Sequence, residues 1–271
     1  MAKAQLGATG AVIAPTEGPE LVENAAALER LGFSTIWITG GPLTSLRQVA
    51  DVVRGTEHVT VATGILAVVS WTSEEVAALF TDLEQSDPGR FVVGLGGAHG
   101  PNPVPTLESY LDRLTAIPQT RRILAALGPR MYRMAREHAA GALPVLITPE
   151  RTAEARALLG PDSTLAVEQL VVIGTDPQRA RETARGPLRF LSTMPAYQAN
   201  FRRMGFSDDD IASLSDRLVD ALVPSGAPDA IAAHIRAQRE AGADHVAVSL
   251  VSTSDVAPLE DWRALAEVVL D

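Results

Sequence analysis

The run Leu127-Gly128-Pro129-Arg130 has the residue types of an anion-binding site. Proline suits the first turn of a helix, and the glycine before it leaves the backbone N–H groups at the helix start open. Those N–H groups, the helix dipole and the Arg130 guanidinium would together hold a phosphate. An ordinary helix start has the same residues, so both interpretations stay open.

A second candidate is His99, which follows the apolar run Arg90–Leu95 in a loop of small residues. An imidazole can donate a proton near neutral pH or hydrogen-bond a cofactor ring. The alternative is a loop histidine that caps backbone groups. We take His99 as the candidate catalytic residue.

Several kinds of chemistry are excluded by missing residues. The chain has no cysteine, so thiol nucleophiles, zinc–thiolate sites and iron–sulfur clusters are excluded. Its only lysine, Lys3, precedes the first predicted strand, which argues against Schiff-base chemistry. The five histidines form no His-x-His pair, and we expect no metal site. The serine hydrolase motif Gly-x-Ser-x-Gly is also missing.

The composition limits the kinds of partner that this chain is expected to bind. The formal net charge of −10 and the lack of a basic patch argue against nucleic acid. The chain is 46% hydrophobic, which suffices for a large core, but no apolar run has the length of a membrane span. With no signal peptide pattern at the N-terminus, the expected location is the cytoplasm.

Strand and helix patterns alternate along all 271 residues. The predicted strands are Leu6–Val12, Phe33–Thr39, Val59–Ile65, Arg90–Leu95, Arg122–Ala126, Ala142–Ile147, Thr164–Ile173 and Asp244–Val251. A helical pattern follows each, which predicts a single-domain parallel (β/α)₈ barrel over residues 1–271. A helical insertion at about residues 175–228 precedes the last strand. The alternative, a doubly wound sheet, needs a Gly-x-Gly-x-x-Gly motif that the chain lacks.

In such a barrel, functional groups lie where strands lead into helices. Through the sixth strand these tips carry no acidic residue before Glu150, and glycines dominate them. Glycine backbone permits close approach of a large flat cofactor, although tight turns also favour glycine. Trp71 lies at the third tip, where it can form a pocket wall. Trp37 lies inside the second strand and is predicted to be core.

Five stretches, in this order, resemble the bacterial luciferase-like family of flavin and deazaflavin oxidoreductases. They are Leu31-Gly32-Phe33-Ser34-Thr35-Ile36-Trp37-Ile38, Val61-Ala62-Thr63-Gly64-Ile65, Pro88-Gly89-Arg90-Phe91-Val92-Val93-Gly94-Leu95-Gly96, Ala125-Ala126-Leu127-Gly128-Pro129-Arg130-Met131 and Ala241-Gly242-Ala243-Asp244-His245-Val246. The chain is most similar to an actinobacterial subgroup of probable F-420-dependent oxidoreductases, through Trp37–Gly41, Gly97-Ala98-His99 and the stretch from Tyr197 to Asp208.

The resemblance implies an oxidoreductase that transfers hydride between coenzyme F-420, a deazaflavin, and a small organic substrate. Two alternatives are an FMN-dependent monooxygenase with a separate reductase, and a non-catalytic protein that binds a flavin or deazaflavin. The resemblance implies that the ring of the cofactor lies against Gly64 and Ile65, with its edge beside Gly96, Gly97 and His99. The phosphate would lie at Leu127, Gly128, Pro129 and Arg130. The substrate would lie beneath Trp71, Tyr197 and Phe201. A non-proline cis peptide at Gly64–Ile65 is also implied.

Two further expectations concern the family pattern. Relatives often carry an acid and a histidine just after the second strand, where this chain has Gly40 and Gly41. This departure weakens any transfer of catalytic residues. Relatives also pair through barrel helices, and the helix that begins after Thr72 carries a larger apolar face than one barrel contact needs. A homodimer is therefore expected.

Overall fold

The strands form a closed, all-parallel barrel, as the sequence predicted. The structure, a computed structural model, describes residues 3–98, 102–174, 176–253 and 257–270. The strands are β1 (Thr9–Ile13), β2 (Thr35–Ile38), β3 (Thr60–Thr63), β4 (Leu66–Ala67), β5 (Phe91–Gly96), β6 (Arg122–Ala125), β7 (Gly141–Leu143), β8 (Thr164–Ile173), β9 (Ser225–Gly226) and β10 (His245–Leu250). Around the barrel the order is β1, β2, β3, β5, β6, β7, β8 and β10, and β10 pairs with β1. The short β4 continues β3 beside β5, and β9 pairs in parallel with the end of β8.

Helices surround the barrel. They are α1 (Glu20–Leu31), α2 (Arg47–Arg54), α3 (Ser73–Ser86), α4 (Pro103–Arg113), α5 (Pro129–His138), α6 (Pro149–Leu159), α7 (Pro177–Leu191), α8 (Pro195–Arg203), α9 (Asp208–Ser213), α10 (Asp216–Leu222), α11 (Pro228–Glu240) and α12 (Leu259–Val269). Proline stands at the first positions of α5 and α6, where its missing N–H costs no helical hydrogen bond. Among the described residues, no helix is both long and apolar enough to cross a membrane.

The sixth predicted strand is shorter than expected. The sequence suggests a strand over Ala142–Ile147, but β7 ends at Leu143. The next residue, Pro144, has no N–H group and cannot donate a ladder bond. Its carbonyl still accepts a hydrogen bond from the Glu168 N–H, at 2.9 Å. The chain therefore leaves the sheet at Pro144 but stays close to β8.

The barrel interior is a small cluster of side chains centred on Trp37, which is fully buried, as predicted. The indole Nε1 of Trp37 donates to Nε2 of His245 at 2.9 Å. The other ring nitrogen of His245, Nδ1, therefore carries the proton and donates to the Gly7 carbonyl, also at 2.9 Å. Burial lowers the pKa of His245 to about 4, so the ring stays neutral at physiological pH. This pair closes the bottom of the barrel.

Helix α3 begins with a capping box, in which Thr72 and Glu75 exchange hydrogen bonds. Its apolar residues Val76, Leu79, Phe80 and Leu83 are all buried within the single chain. The argument for a dimer from a surplus apolar face on this helix is therefore wrong, because the barrel already covers that face. The homodimer itself stays a prediction.

Between β8 and β10, helices α7 to α10 enclose a second hydrophobic cluster. It includes Phe201 and Leu218 from the helices and Phe206 from the loop between α8 and α9, and it meets the barrel at Leu170 and Val172 of β8. Apolar packing thus fixes α8 near the carboxyl ends of the last strands.

Candidate functional site

A bulge interrupts the sheet between β3 and β5. Ala62 pairs with Val92, and Leu66 pairs with Leu95, so three residues of one strand face two of the other. The peptide bond between Gly64 and Ile65 is cis, as the sequence suggested. Thr63 replaces the lost ladder bonds: its Oγ1 donates to the Gly94 carbonyl at 3.0 Å and accepts from the Gly94 N–H at 2.9 Å.

Glycines on the neighbouring strands make room for this bulge. A Cβ on Gly40 would lie 1.8 Å from the Ile65 carbonyl oxygen, and one on Gly94 would lie 1.8 Å from the Thr63 carbonyl oxygen. Both distances are far inside van der Waals contact, so only glycine fits at either position. From the sequence, we interpreted the glycine-rich strand tips as space for a cofactor. At Gly40 and Gly94 the bulged backbone itself requires the glycine.

Ile65 lies at the mouth of the barrel. Its side chain is half-buried and packs on the interior cluster that contains Trp37. Its Cδ1 lies 3.3 Å from the position of a Cβ on Gly96 and 3.6 Å from that on Gly97. Because these positions lack side chains, Ile65 spreads over β5 and presents an apolar surface toward the carboxyl ends of the strands.

The start of α5 also lies at this end of the barrel, and two arginines that the sequence interpretation did not select approach it. Gly128 is the N-cap residue, and no side chain caps this helix start. Nη2 of Arg203, at the end of α8, donates to the Leu127 carbonyl at 2.9 Å and lies 3.4 Å from the position of a Cβ on Gly128. Arg130, the predicted anion ligand, is exposed.

Arg151, in the first turn of α6, is the second arginine. It is 6% exposed, and one nitrogen pairs with Glu154. Within the described part of the chain, its Nε and Nη2 are buried without a hydrogen-bond partner, as is the Tyr132 hydroxyl of α5. Buried polar atoms normally have partners, so three such atoms need an explanation.

The charges around these atoms point to an anion. Burial, followed by the charge of Arg151, lowers the pKa of Arg203, so the two guanidinium groups repel each other. Burial raises the pKa of the Tyr132 hydroxyl, which therefore stays protonated and can donate. An anion would accept from these donors and relieve the repulsion between the arginines. We call Tyr132, Arg151, Arg203 and the start of α5 the anion pocket.

Glu168 brings a carboxyl group to the mouth. It lies on β8, two residues after Ala166, which belongs to the interior cluster. Since alternate residues of a strand share a face, the Glu168 side chain also points inward. Burial raises its pKa to about 7, and no hydrogen bond or ion pair of its carboxyl group is found within the described residues.

Comparison with known proteins decides the family. Residues 99–245, more than half of the chain, match the model of the luciferase-like monooxygenases. The chain belongs to the luciferase-like monooxygenase family. No curated protein sequence gives a significant match.

Solved structures of other luciferase-like folds cover nearly the whole barrel. An F-420-dependent secondary alcohol dehydrogenase, in complex with an F-420–acetone adduct, has a TM-score of 0.76 at 14% identity, covering 97% of this chain and 98% of that one. The F-420-dependent tetrahydromethanopterin reductase from Methanopyrus kandleri also has a TM-score of 0.76, at 16% identity, covering 98% and 99%. A type II Baeyer–Villiger monooxygenase from Pseudomonas putida, in complex with FMN, has a TM-score of 0.70 at 13% identity, covering 97% of each chain.

The remaining predicted site residues of this luciferase-like chain lie in different surroundings. Trp71 is half-buried against the main core in the loop before α3. Tyr197 is also half-buried, with its ring centroid 6.3 Å from that of Phe201. Phe201 is fully buried in the second cluster, which argues against direct substrate contact. His99 lies outside the described residues.

Metal ligation finds no support in the described parts of the luciferase-like barrel. Among those residues, no three His, Asp or Glu side chains lie together as a metal site would require. Glu168 and, facing it from α8, Tyr197 are two titratable groups at the mouth outside the anion pocket. Burial and then the charge of Glu168 raise the pKa of the Tyr197 hydroxyl.

Proposed function

We propose that this luciferase-like enzyme is an F-420-dependent oxidoreductase that transfers hydride between the deazaflavin and a small apolar organic substrate. The observation that carries the proposal is the combination of an apolar surface at Ile65 with the anion pocket beside it. A deazaflavin has a flat ring and a phosphate, which match these two features. The two F-420-dependent proteins of similar fold, each with a TM-score of 0.76, also support this cofactor.

The residues of this chain would divide the work of holding the cofactor. Ile65 and Gly64 would support one face of the ring, and Gly96 and Gly97 would lie along its edge, with His99 near them. The N–H groups at Gly128–Arg130, together with Arg151, Arg203 and Tyr132, would bind the phosphate. When bound, the deazaflavin supplies a hydride donor or acceptor. The protein would orient it and keep water from its apolar face.

FMN is the second candidate, because a monooxygenase in complex with FMN has the same fold. FMN also has a flat ring and a phosphate, but it activates oxygen, which a deazaflavin does not readily do. Side-by-side titrations of the purified protein with F-420 and FMN, followed by absorbance and fluorescence, test the proposal. We expect tighter binding of F-420. Binding of FMN alone would favour the monooxygenase, and binding of neither would contradict both candidates.

The anion pocket predicts which arginine matters most for cofactor binding. We expect Arg203→Gln to weaken F-420 binding by about 1–3 kcal/mol, the range for a charged hydrogen bond. Arg130→Gln should have a smaller effect, because Arg130 is exposed and contributes mainly long-range charge. Fluorescence titration measures both dissociation constants. Arg133→Gln, an exposed residue on the same helix, is the control for loss of positive charge. Equal losses in the Arg203 and Arg133 variants would contradict the assignment.

A further inference from the structure

The proposed binding of the cofactor gives no role to the carboxyl group of Glu168. We propose that Glu168 is the catalytic acid and base of this enzyme and that the substrate pair is a small neutral ketone and its alcohol. This inference rests on the proposed function. It assigns a residue and a substrate class that the proposed function leaves open.

The position of Glu168 in the barrel is the first argument. In the strand order, three strands separate β8 from β3 on either side, so Glu168 and the bulge at Gly64 lie on opposite walls. Glu168 and Gly64 also lie at the same height along the barrel axis. Ala62 and Ala166 lie in the same interior cluster, and Gly64 and Glu168 are the next inward residues on their strands. A ring supported by Ile65 would therefore turn its free face toward Glu168, with the substrate between them.

The surroundings of Glu168 are the second argument. Its neighbours in register, Val145 and Ala247, are apolar. The titratable group that faces it is the Tyr197 hydroxyl of α8, within the described residues. In this setting burial raises the pKa of Glu168 to about 7, so the carboxyl group can both hold and release a proton near neutral pH. A carboxyl group used only for packing would be an unfavourable choice here.

The chemistry balances in both directions. In reduction, the ketone carbon accepts hydride from the reduced deazaflavin, while the Glu168 carboxyl proton forms the new O–H bond. The carboxylate that remains takes up a proton from water. In oxidation, the Glu168 carboxylate accepts the hydroxyl proton of the alcohol as its C–H bond breaks and the hydride passes to the oxidised deazaflavin. A neutral substrate suits this mouth, since Thr39 and Ala125, at the same end of β2 and β6, carry no charge.

Glu168→Gln tests the proposal, because it keeps the shape of the side chain but removes its exchangeable acid proton. The assay follows oxidation of reduced F-420 by small neutral ketones, from acetone to cyclohexanone. We expect turnover to fall by about 10²- to 10⁴-fold, the usual contribution of a general acid. Binding of F-420 should stay within about threefold. Glu240→Gln, at the exposed end of α11, removes the same charge far from the mouth and should behave like the wild-type protein.

A readout without cofactor complements the assay. In protein labelled with ¹³C at the glutamate carboxyl carbon, one resonance should titrate near pH 7 and be missing in Glu168→Gln. Titration of that resonance in the ordinary glutamate range would overturn the proposal, as would turnover by Glu168→Gln within threefold of wild type. Failure of every ketone in a protein that binds F-420 would overturn the substrate class. Failure of the wild-type protein to bind F-420 would overturn the proposed function and this inference together.

Discussion

Gly40→Ala should disrupt the mouth of the barrel and abolish cofactor binding. The added methyl group would lie 1.8 Å from the Ile65 carbonyl oxygen and 3.1 Å from the Leu66 nitrogen, so the bulge must move. Overpacking against backbone that cannot rotate away costs about 3 kcal/mol or more. We expect this loss in the free energy of unfolding by urea denaturation. Movement of Ile65 should also remove F-420 binding at concentrations that saturate the wild-type protein.

The matched control is the next residue. A Cβ on Gly41 would meet no atom within 4 Å, and its backbone is not in the left-handed region. Gly41→Ala should therefore change stability by less than about 0.5 kcal/mol, as for other surface substitutions. If both variants were equally stable, the contact between Gly40 and the bulge would not exist in solution. If both variants lost the same stability, the residues after β2 would be sensitive to a side chain at either position.

Local features of this fold could be predicted from the sequence because their causes are local. The helices Pro129–His138 and Pro149–Leu159 have proline at the first position, which is a start signal that can be read locally. The strand Thr164–Ile173 likewise appears as predicted. The cis peptide at Gly64–Ile65 followed from the family resemblance, since composition alone does not distinguish it from a trans bond.

The site residues that were missed depend on contacts between distant parts of the chain. Arg203 meets Leu127 across 76 positions, and no local pattern connects them. Glu168 stands within a strand that is mostly apolar, and whether it points inward depends on the register of the closed barrel. Arg151 could have been selected from the sequence, because it lies just after a proline that starts a helix at a strand tip, as Arg130 does. The burial that distinguishes these two arginines appears only in the folded structure.

Buried polar side chains at the two ends of the barrel differ in whether they have hydrogen-bond partners. At its bottom, Trp37 and His245 satisfy each other and fix a neutral ring. At its mouth, Arg151 and Tyr132 have buried polar atoms without a hydrogen-bond partner among the described residues. Buried polar atoms without partners reduce stability, so the position of these atoms at the end where barrels bind ligands indicates that a ligand completes them.

Arg151→Met should stabilise the ligand-free protein while removing its response to phosphate. Among the described residues, two buried nitrogens of Arg151 lack partners, and Arg151 forms an ion pair with the exposed Glu154. An apolar side chain of similar length removes that desolvation cost and the repulsion with Arg203. We expect a gain of about 1–2 kcal/mol in the free energy of unfolding, as for other replaced buried charges. Inorganic phosphate should stabilise the wild-type protein by mass action but leave the variant unchanged.

Arg122→Met is the matched control, because Arg122 is buried to a similar extent, at 7% exposure. Its guanidinium is satisfied: Nε donates to the Ile117 carbonyl at 2.9 Å, and Nη2 donates to the carbonyls of Leu114 and Ile117. Removing it takes the side-chain donors from both carbonyls and leaves that of Leu114 with only the Ile117 N–H, so we expect a loss of about 3 kcal/mol. The two substitutions are identical in chemistry and should have opposite signs. Destabilisation by both, with phosphate still stabilising Arg151→Met, would show that Arg151 serves packing alone and that the anion pocket does not bind phosphate through it.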